Sequence, residues 1–427
     1  MKFAHIADVH LGYEQYNQPW RAEDFAKAFR SIAKKAVEEN VDFVIIAGDL
    51  FHRSLPSPKT IKDAIETLWI FRKENIPVFA VEGNHDKSRD VSAYHLLESL
   101  GLLNVIGLRK NPVSGENTRS LKIQNVYLVK GAVGDVEILG DRHRSRWQLE
   151  KVLPLLKPES EKSILVLHQA VKEVVDVELE MAYELTISDL PLAGYYAFGH
   201  IHIPRIYNFN GRFIAYPGSV ERYDIREASR IIRYRKELVS KDGIGKGFLI
   251  VKNFRPEFVE IDTRELYDVE LEDESVESLE RKFFEVLKDM DREGVMIAKL
   301  RCRDVVDVRN FSEIAAKNLR YAEIRFERIF EDAEEIELKQ ESEFFTEFEL
   351  KLLDLLRGEM DEDEVYRLVV EHYLSVERKV GDEKVQEVAE EQTEPEPEEK
   401  KMIEKRMVEK EIRKPRTLLD FLGVEEE

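Results

Sequence analysis

Five short segments carry side chains that bind divalent metals, and each closes an apolar run. They are Asp8-Val9-His10, Gly48-Asp49, Gly83-Asn84-His85-Asp86, His168 after Ile164-Leu165-Val166-Leu167, and Gly199-His200-Ile201-His202. Carboxylate oxygen, imidazole nitrogen and amide oxygen suit Mn²⁺, Fe²⁺ or Zn²⁺ better than Ca²⁺ or a lone Mg²⁺. Asp8, His10, Asp49, Asn84, His168, His200 and His202 are too many donors for one such ion, so two are expected. A carboxylate can bridge cations about 3.5 to 4 Å apart, and that pair grips both the attacking and leaving oxygens of a phosphoryl transfer. Asp49 is the natural bridge. Asp8, His10 and His202 would share one ion, and Asn84, His168 and His200 would complete the other. The alternation in His200-Ile201-His202 sends both imidazoles to one side of an extended segment.

His85 is not needed for coordination, which frees it to stabilise developing charge and protonate the leaving oxygen. His52, three residues past Asp49, could orient the phosphate or a nucleic-acid strand. His5, inside Phe3-Ala4-His5-Ile6-Ala7, has no partner motif and reads as a core histidine. His95, His143 and His372 lie outside the series and receive no role.

Something must bring segments spread over two hundred positions together. Strand-like runs at Phe3 to Ala7, Phe43 to Ala47 and Val78 to Val81 alternate with two helical patterns. In the first, Phe25, Phe29, Ile32, Ala36 and Val37 recur at three- and four-residue steps; in the second, Ile61, Ile65, Leu68 and Phe71 do. This order predicts an α/β fold of parallel strands with right-handed crossovers and helices on both faces. Further strands read at Ile164 to Leu167, Tyr195 to Phe198, Arg212 to Tyr216 and Phe248 to Val251. Ligands of such sheets gather beyond the strands' carboxyl ends, where the five segments would lie.

After Pro256 the units shorten. Strands at Val259 to Asp262, Val269 to Glu272, Met296 to Arg301 and Ala322 to Phe326, with helices from about Val276 to Met290 and Phe311 to Leu319, predict a small α+β domain. Residues 343–375 read as helices whose crowded Phe344, Phe345, Phe348, Leu352 and Leu356 either pack on that domain or belong to a partner. From 379 to 414 the chain is charged and Pro-interrupted, the pattern of a disordered linker, and it ends in the apolar cluster Leu418, Leu419, Phe421 and Leu422.

The formal charge is −21, yet the first 255 residues carry a net +4, so the acidity is downstream and a nucleic-acid partner stays open for the N-terminal part. The single cysteine, Cys302, excludes an internal disulfide framework. The first residues carry no leader pattern, and no run of apolar residues is long enough to span a bilayer. A cytoplasmic, nucleoid-associated protein is expected.

The ordered set Asp-x-His, Gly-Asp, Gly-Asn-His-Asp, strand-end His and Gly-His-x-His resembles the calcineurin-like metallophosphoesterases over residues 1 to about 220. Protein phosphatases of that superfamily carry Gly-Asp-x-x-Asp-Arg-Gly, whereas this chain has Gly48-Asp49-Leu50-Phe51-His52-Arg53-Ser54. Three strings, His5 to Tyr13, Ile46 to His52, and Tyr216-Pro217-Gly218-Ser219-Val220-Glu221-Arg222, are similar to the archaeal double-strand-break repair nucleases of the meiotic recombination eleven family. With the Phe344 to Leu350 helix included, the resemblance covers about residues 1 to 375.

The resemblance implies a metallophosphoesterase sandwich at 1–255, an α+β DNA-capping domain at 256–330, a helical ATPase-binding segment at 331–378, a linker at 379–414 and a terminal peptide at 415–427. It implies two Mn²⁺ held by the seven donors, His85 as the transition-state histidine, and His52 as the residue that engages duplex ends. It further implies 3′–5′ exonuclease action on double-stranded ends, endonuclease action on single strands, and docking of 343–375 on a coiled-coil ABC-type ATPase, the Rad-fifty subunit. A homodimer through the Phe51 to Phe71 region, with Leu55, Trp69 and Ile70, is expected on the same ground. The terminal Thr417 to Leu422 looks like a sliding-clamp peptide presenting Leu418, Phe421 and Leu422, with Pro415 where such peptides carry Gln. Two other readings stay open: a phosphodiesterase or phosphatase on a non-DNA substrate, and a non-catalytic scaffold that joins an ATPase to DNA ends.

Overall fold

The computed structural model describes residues 1–87, 92–113, 115–175 and 183–329. The expectations for the 343–375 helices, the 379–414 linker and the terminal peptide lie outside the described residues. Among those described, the strands form three sheets.

The first sheet has the order Arg255–Ile261, Lys246–Lys252, Lys2–Ile6, Phe43–Ala47, Val78–Val81, Asn104–Val105. Lys2–Ile6, Phe43–Ala47 and Val78–Val81 pair in parallel, as the βαβαβ pattern predicts. Between them run the helices Pro19–Glu38 and Pro58–Lys73; the second starts cleanly because Pro58 sits in its first turn and the Ser57 side chain accepts the Thr60 amide. Phe29, Ile32, Ala36, Leu68 and Phe71 pack on Ala4, Ile6, Val44, Ile46 and Ala80.

The opposite face of this sheet is where the expectation fails. It is covered not by helices but by an eight-stranded second sheet, whose path runs from Arg205–Phe209 through Arg212–Tyr216, Tyr195–Gly199, Ser163–His168, Val136–Gly140 and Val126–Val133 to Gly107–Arg109. Phe3, Phe43, Ile45, Phe79 and Val81 of the first sheet meet Ile138, Ile164, Val166, Tyr195 and Ala197 of the second. Strands buried on both faces read as continuous apolar runs whichever element covers them, so the covering layer was invisible in the pattern. Leu149, Val152 and Leu153 of the helix Arg146–Val152 and the turn after it close the outer face of the second sheet.

The third sheet orders Leu238–Asp242, Arg230–Tyr234, Leu266–Asp273, Val295–Cys302, Tyr321–Arg328, packed with the helices Val276–Leu287 and Val308–Asn318 through Leu271, Leu279, Phe283, Leu300 and Phe311. The boundary expected at 255/256 does not follow the sheets. Arg255–Ile261, which contains Pro256, is an edge strand of the first sheet, where a residue without an N–H is tolerated. The third sheet meanwhile begins with Arg230–Tyr234, ahead of that boundary. It docks on the N-terminal helix through Arg264, whose guanidinium donates from Nε and Nη2 to Asp24 at 2.6 and 2.7 Å and lies 4.8 Å from the Trp20 ring. No helix among the described residues is long and apolar enough to cross a membrane.

Candidate metal centre

All five segments leave carboxyl ends of parallel strands, and the two sheets bring those ends to one seam. The loops after Lys2–Ile6 and Phe43–Ala47 are zipped together by backbone bonds: Asp8 N to Gly48 O (3.1 Å), His10 N to Asp49 O (2.9 Å) and Leu11 N to Leu50 O (3.0 Å). Asp8, His10, Asp49 and His200 all have positive φ, at 52°, 48°, 50° and 90°. Non-glycine residues rarely adopt this region, at roughly 1–3 kcal/mol each, and such strain concentrates at functional sites.

The first sheet contributes Asp8, His10, Asp49 and Asn84, and the second contributes His168, His200 and His202. His10 Nε2 and His202 Nε2 are 3.1 Å apart, with Asp8 Oδ1 3.8 Å from the latter. Asn84 Oδ1 is 3.1 Å from both His168 Nε2 and His200 Nδ1, and Asp49 Oδ2 is 3.2 Å from His168 Nε2 and 3.9 Å from His10 Nε2. Asp49 thus touches both groups of donors. Asp8 reaches across the seam as well, accepting the His200 amide on both oxygens at 3.0 and 3.1 Å.

The electrostatics are those of a cation pocket. Burial pushes the Asp8 carboxyl up despite His168 and His202 nearby. Asp49 feels the same burial, but His168 and then His10 outweigh it and hold the carboxyl far below its usual range. Burial opposes a charge on His168, yet Asp49 and Asp8 carry it up to about 9; burial and His168 carry His200 down to about 3. The far ring nitrogens have acceptors in two cases: His168 Nδ1 donates to Ala47 O at 2.7 Å, and His202 Nδ1 faces Glu227 Oε1 at 3.4 Å. Each ring, once neutral, then turns the lone pair of its opposite nitrogen to the cluster, the arrangement that orients metal-binding imidazoles. The donor set fits divalent cations.

His85 and His52 stand at the rim. His85 donates its backbone amide to Asp49 Oδ1 at 2.8 Å and its Nδ1 to His52 O at 2.9 Å. The His52 ring stacks on Tyr13 at 4.1 Å, and burial together with His85 lowers its pKa to about 4. Asp86 holds the loops in register by accepting Phe51 N and Gly83 N at 2.9 Å and Tyr94 Oη at 2.8 Å. His5 is buried elsewhere, against Tyr195 Oη and Phe198 O, and His95 pairs with Ser92. His372 lies outside the described residues.

Sequence reasoning missed several neighbours. His143, given no role, lies 5.4 Å ring to ring from His200 and takes a 2.8 Å bond from Lys87 Nζ. Tyr223 packs 4.3 Å from His202 and 4.6 Å from His10. Glu184 and Glu227 carry no spacing signal; Tyr223 directly follows the Tyr216 to Arg222 string, which was its one available pointer.

The family model of calcineurin-like phosphoesterases matches residues 1–204. A DNA double-strand break repair protein Mre11 of Archaeoglobus fulgidus is 75% identical over the whole of both chains. Its counterpart in Methanocaldococcus jannaschii is 33% identical over 71% of this chain and 74% of its own. A solved dimetal phosphatase of Danio rerio aligns over 58% of this chain and 95% of its own at 13% identity, with a TM-score of 0.28. The full-length identity to the Archaeoglobus protein, joined to a metallophosphoesterase match that spans the clustered donors up to His202, shows that this chain belongs to the Mre11 family.

Proposed function

We propose that the chain is a metal-dependent nuclease that cuts DNA at double-strand breaks. The observation that carries this reading is the cluster across the seam, in which Asp49 faces both groups of donors and His85 stands at the rim. Two Mn²⁺ would be held as expected, one by Asp8, His10 and His202, one by Asn84, His168 and His200, with Asp49 between them. Bound divalent cations would neutralise the phosphate and activate the attacking water.

The protein's own groups do the rest. His85, whose Nδ1–H donates to the His52 carbonyl, presents Nε2, and as an imidazolium, protonated on both nitrogens, it gives the Nε2 proton to the leaving oxygen. His52 and Tyr13 form a stacked wall on which the DNA end is positioned. Lys87, Arg142 and Arg144 supply positive charge near the cluster; burial and then the two arginines lower the Lys87 pKa. Such a group favours a phosphate backbone. The third sheet is the cap that helps to hold DNA, and 3′–5′ exonuclease action on duplex ends with endonuclease action on single strands is the activity proposed.

The partners follow the same reading: a Rad-fifty-type ATPase on 343–375, a second copy on the face where Leu55 and Trp69 are exposed, and a sliding clamp on Leu418, Phe421 and Leu422. A cytoplasmic, nucleoid-associated location goes with these partners. The test is incubation of the full chain with end-labelled duplex DNA, a cyclic nucleotide and a phosphopeptide, each with Mn²⁺. Shortening of the duplex supports the proposal; turnover of either small substrate with intact DNA refutes it.

A further inference from the structure

Below the metal donors, the Glu227 carboxylate that faces His202 belongs to a buried polar network with Lys246 and Ser219. Lys246 and Ser219 are 0% exposed and Glu227 is 2% exposed. Glu227 sits on the single turn Ile225–Glu227, Lys246 opens the first-sheet strand Lys246–Lys252, and Ser219 belongs to the Tyr216 to Arg222 string. Lys246 Nζ donates to His202 O at 2.9 Å, to Ser219 Oγ at 2.8 Å and to Glu227 Oε2. Glu227 Oε2 also accepts from Ser219 Oγ at 2.7 Å and from Tyr223 N at 3.1 Å. That oxygen is saturated. The other, Oε1, faces His202 Nδ1 at 3.4 Å.

We infer that Glu227, held in place by Lys246 and Ser219, is the positioning residue that sets the tautomer and ring plane of His202, so that Nε2 is the atom offered to a metal. The inference rests on the proposal that His202 is a metal ligand and deepens it. A carboxylate oxygen only accepts, so the ring nitrogen facing it carries the proton and the lone pair lies on the opposite nitrogen. Nε2 points to His10 Nε2 at 3.1 Å and Asp8 Oδ1 at 3.8 Å. The His202 backbone is fixed by the same network: its carbonyl accepts Lys246 Nζ and the Ser219 amide at 3.0 Å. Gly218 has φ +80°, and a Cβ there would come within 2.6 Å of that carbonyl, so the approach requires glycine. Lys246 supplies the buried counter-charge that a carboxylate at this depth requires.

The experiment compares two double variants of the full chain by Mn²⁺ calorimetry and electron paramagnetic resonance, with folding checked by circular dichroism in chelator. Glu227→Gln with Lys246→Met removes both charges but keeps an amide oxygen opposite Nδ1. Glu227→Leu with Lys246→Met removes the oxygen too. The Gln variant should bind Mn²⁺ within a few-fold of wild type, and the Leu variant should lose about 10- to 100-fold in affinity for one ion and little for the other. Equal binding by both doubles, or equal weakening of both, overturns the assignment. Should the Leu variant not fold, histidine-selective nitrogen NMR of the Zn²⁺-loaded wild type decides: a protonated His202 Nδ1 supports the inference, and a metal-bound Nδ1 overturns it. Wild-type protein that takes up no Mn²⁺ would instead overturn the metal-centre reading itself.

Discussion

Gly199→Ala probes the seam directly. Gly199 ends a second-sheet strand beside Ala47, the last residue of a first-sheet strand, and an added Cβ would overlap the Ala47 carbonyl while lying 2.8 Å from His168 Nδ1 and 3.0 Å from Ala7 Cβ. The same carbonyl accepts the 2.7 Å bond that fixes the His168 ring. One methyl group therefore forces the strand ends apart and breaks that bond. Overpacking of a tight core costs about 1–3 kcal/mol and loss of a hydrogen bond about 1 kcal/mol, so a destabilisation of roughly 2–4 kcal/mol is expected. Affinity for the ion nearest His168 should fall by about 10- to 100-fold, as when a supporting contact of a ligand is removed. Guanidinium unfolding in chelator, followed by tryptophan fluorescence, measures the first, and Mn²⁺ calorimetry the second. A variant with an unshifted midpoint and undiminished Mn²⁺ binding would refute the argument that the sheet seam sets the donor geometry.

Other expectations follow from named contacts. His85→Gln should keep both Mn²⁺ ions by calorimetry while single-turnover cleavage of duplex DNA slows by about 10²- to 10⁴-fold, the usual worth of a proton donor; unchanged cutting would remove its role. Asp24→Ala strips Arg21 and Arg264 of their shared acceptor and should cost about 3–5 kcal/mol, with faster amide exchange in Leu266–Asp273; protection at the wild-type level would count against the docking role. Burial lowers the His5 pKa from 6.5 to about 3. The unfolded chain binds the extra proton first, so this group's stabilisation is complete above pH 6.5 and is lost as pH falls from there toward 3, with a slope near one proton. His52 and His200 add slope in the same window, so His5→Gln should lower the pH slope of the unfolding free energy there by about one proton, and an identical slope in both proteins would exclude the His5 contribution. Lys87→Ala should flatten the salt dependence of DNA affinity by about one counterion if Lys87 meets a phosphate, and an unaltered slope would argue that it does not.

The donor segments were legible because strand ends announce themselves: an apolar run such as Ile164 to Leu167 stops at a polar residue, and five such stops in order are hard to produce otherwise. The helices that cover the first sheet showed through their three- and four-residue steps. The second sheet did not, since Phe43-Val44-Ile45-Ile46-Ala47 is apolar on both faces and either layer satisfies it. Strand Thr118–Ile123 was silent for the opposite reason: it is largely exposed, so no buried face imposed an alternation. Pro256 gives no sign of where the sheets divide, because the edge strand that contains it tolerates a residue without an N–H. Glu227 and Lys246, 25 and 44 residues beyond His202, meet it only through tertiary contacts, and local spacing carries no trace of such a meeting.

Donors divided between two facing layers make the centre a caliper. Its jaws are the strand ends at Ala47 and Val81 on one side and at His168 and Gly199 on the other, and their opening is governed by how Phe79, Val81, Ile138 and Val166 fill the space behind them. Close-packed interiors transmit small volume changes as displacements. A methylene gained or lost deep in this protein, far from any DNA, would therefore shift the donors of one layer against those of the other and change how well the cluster fits divalent cations.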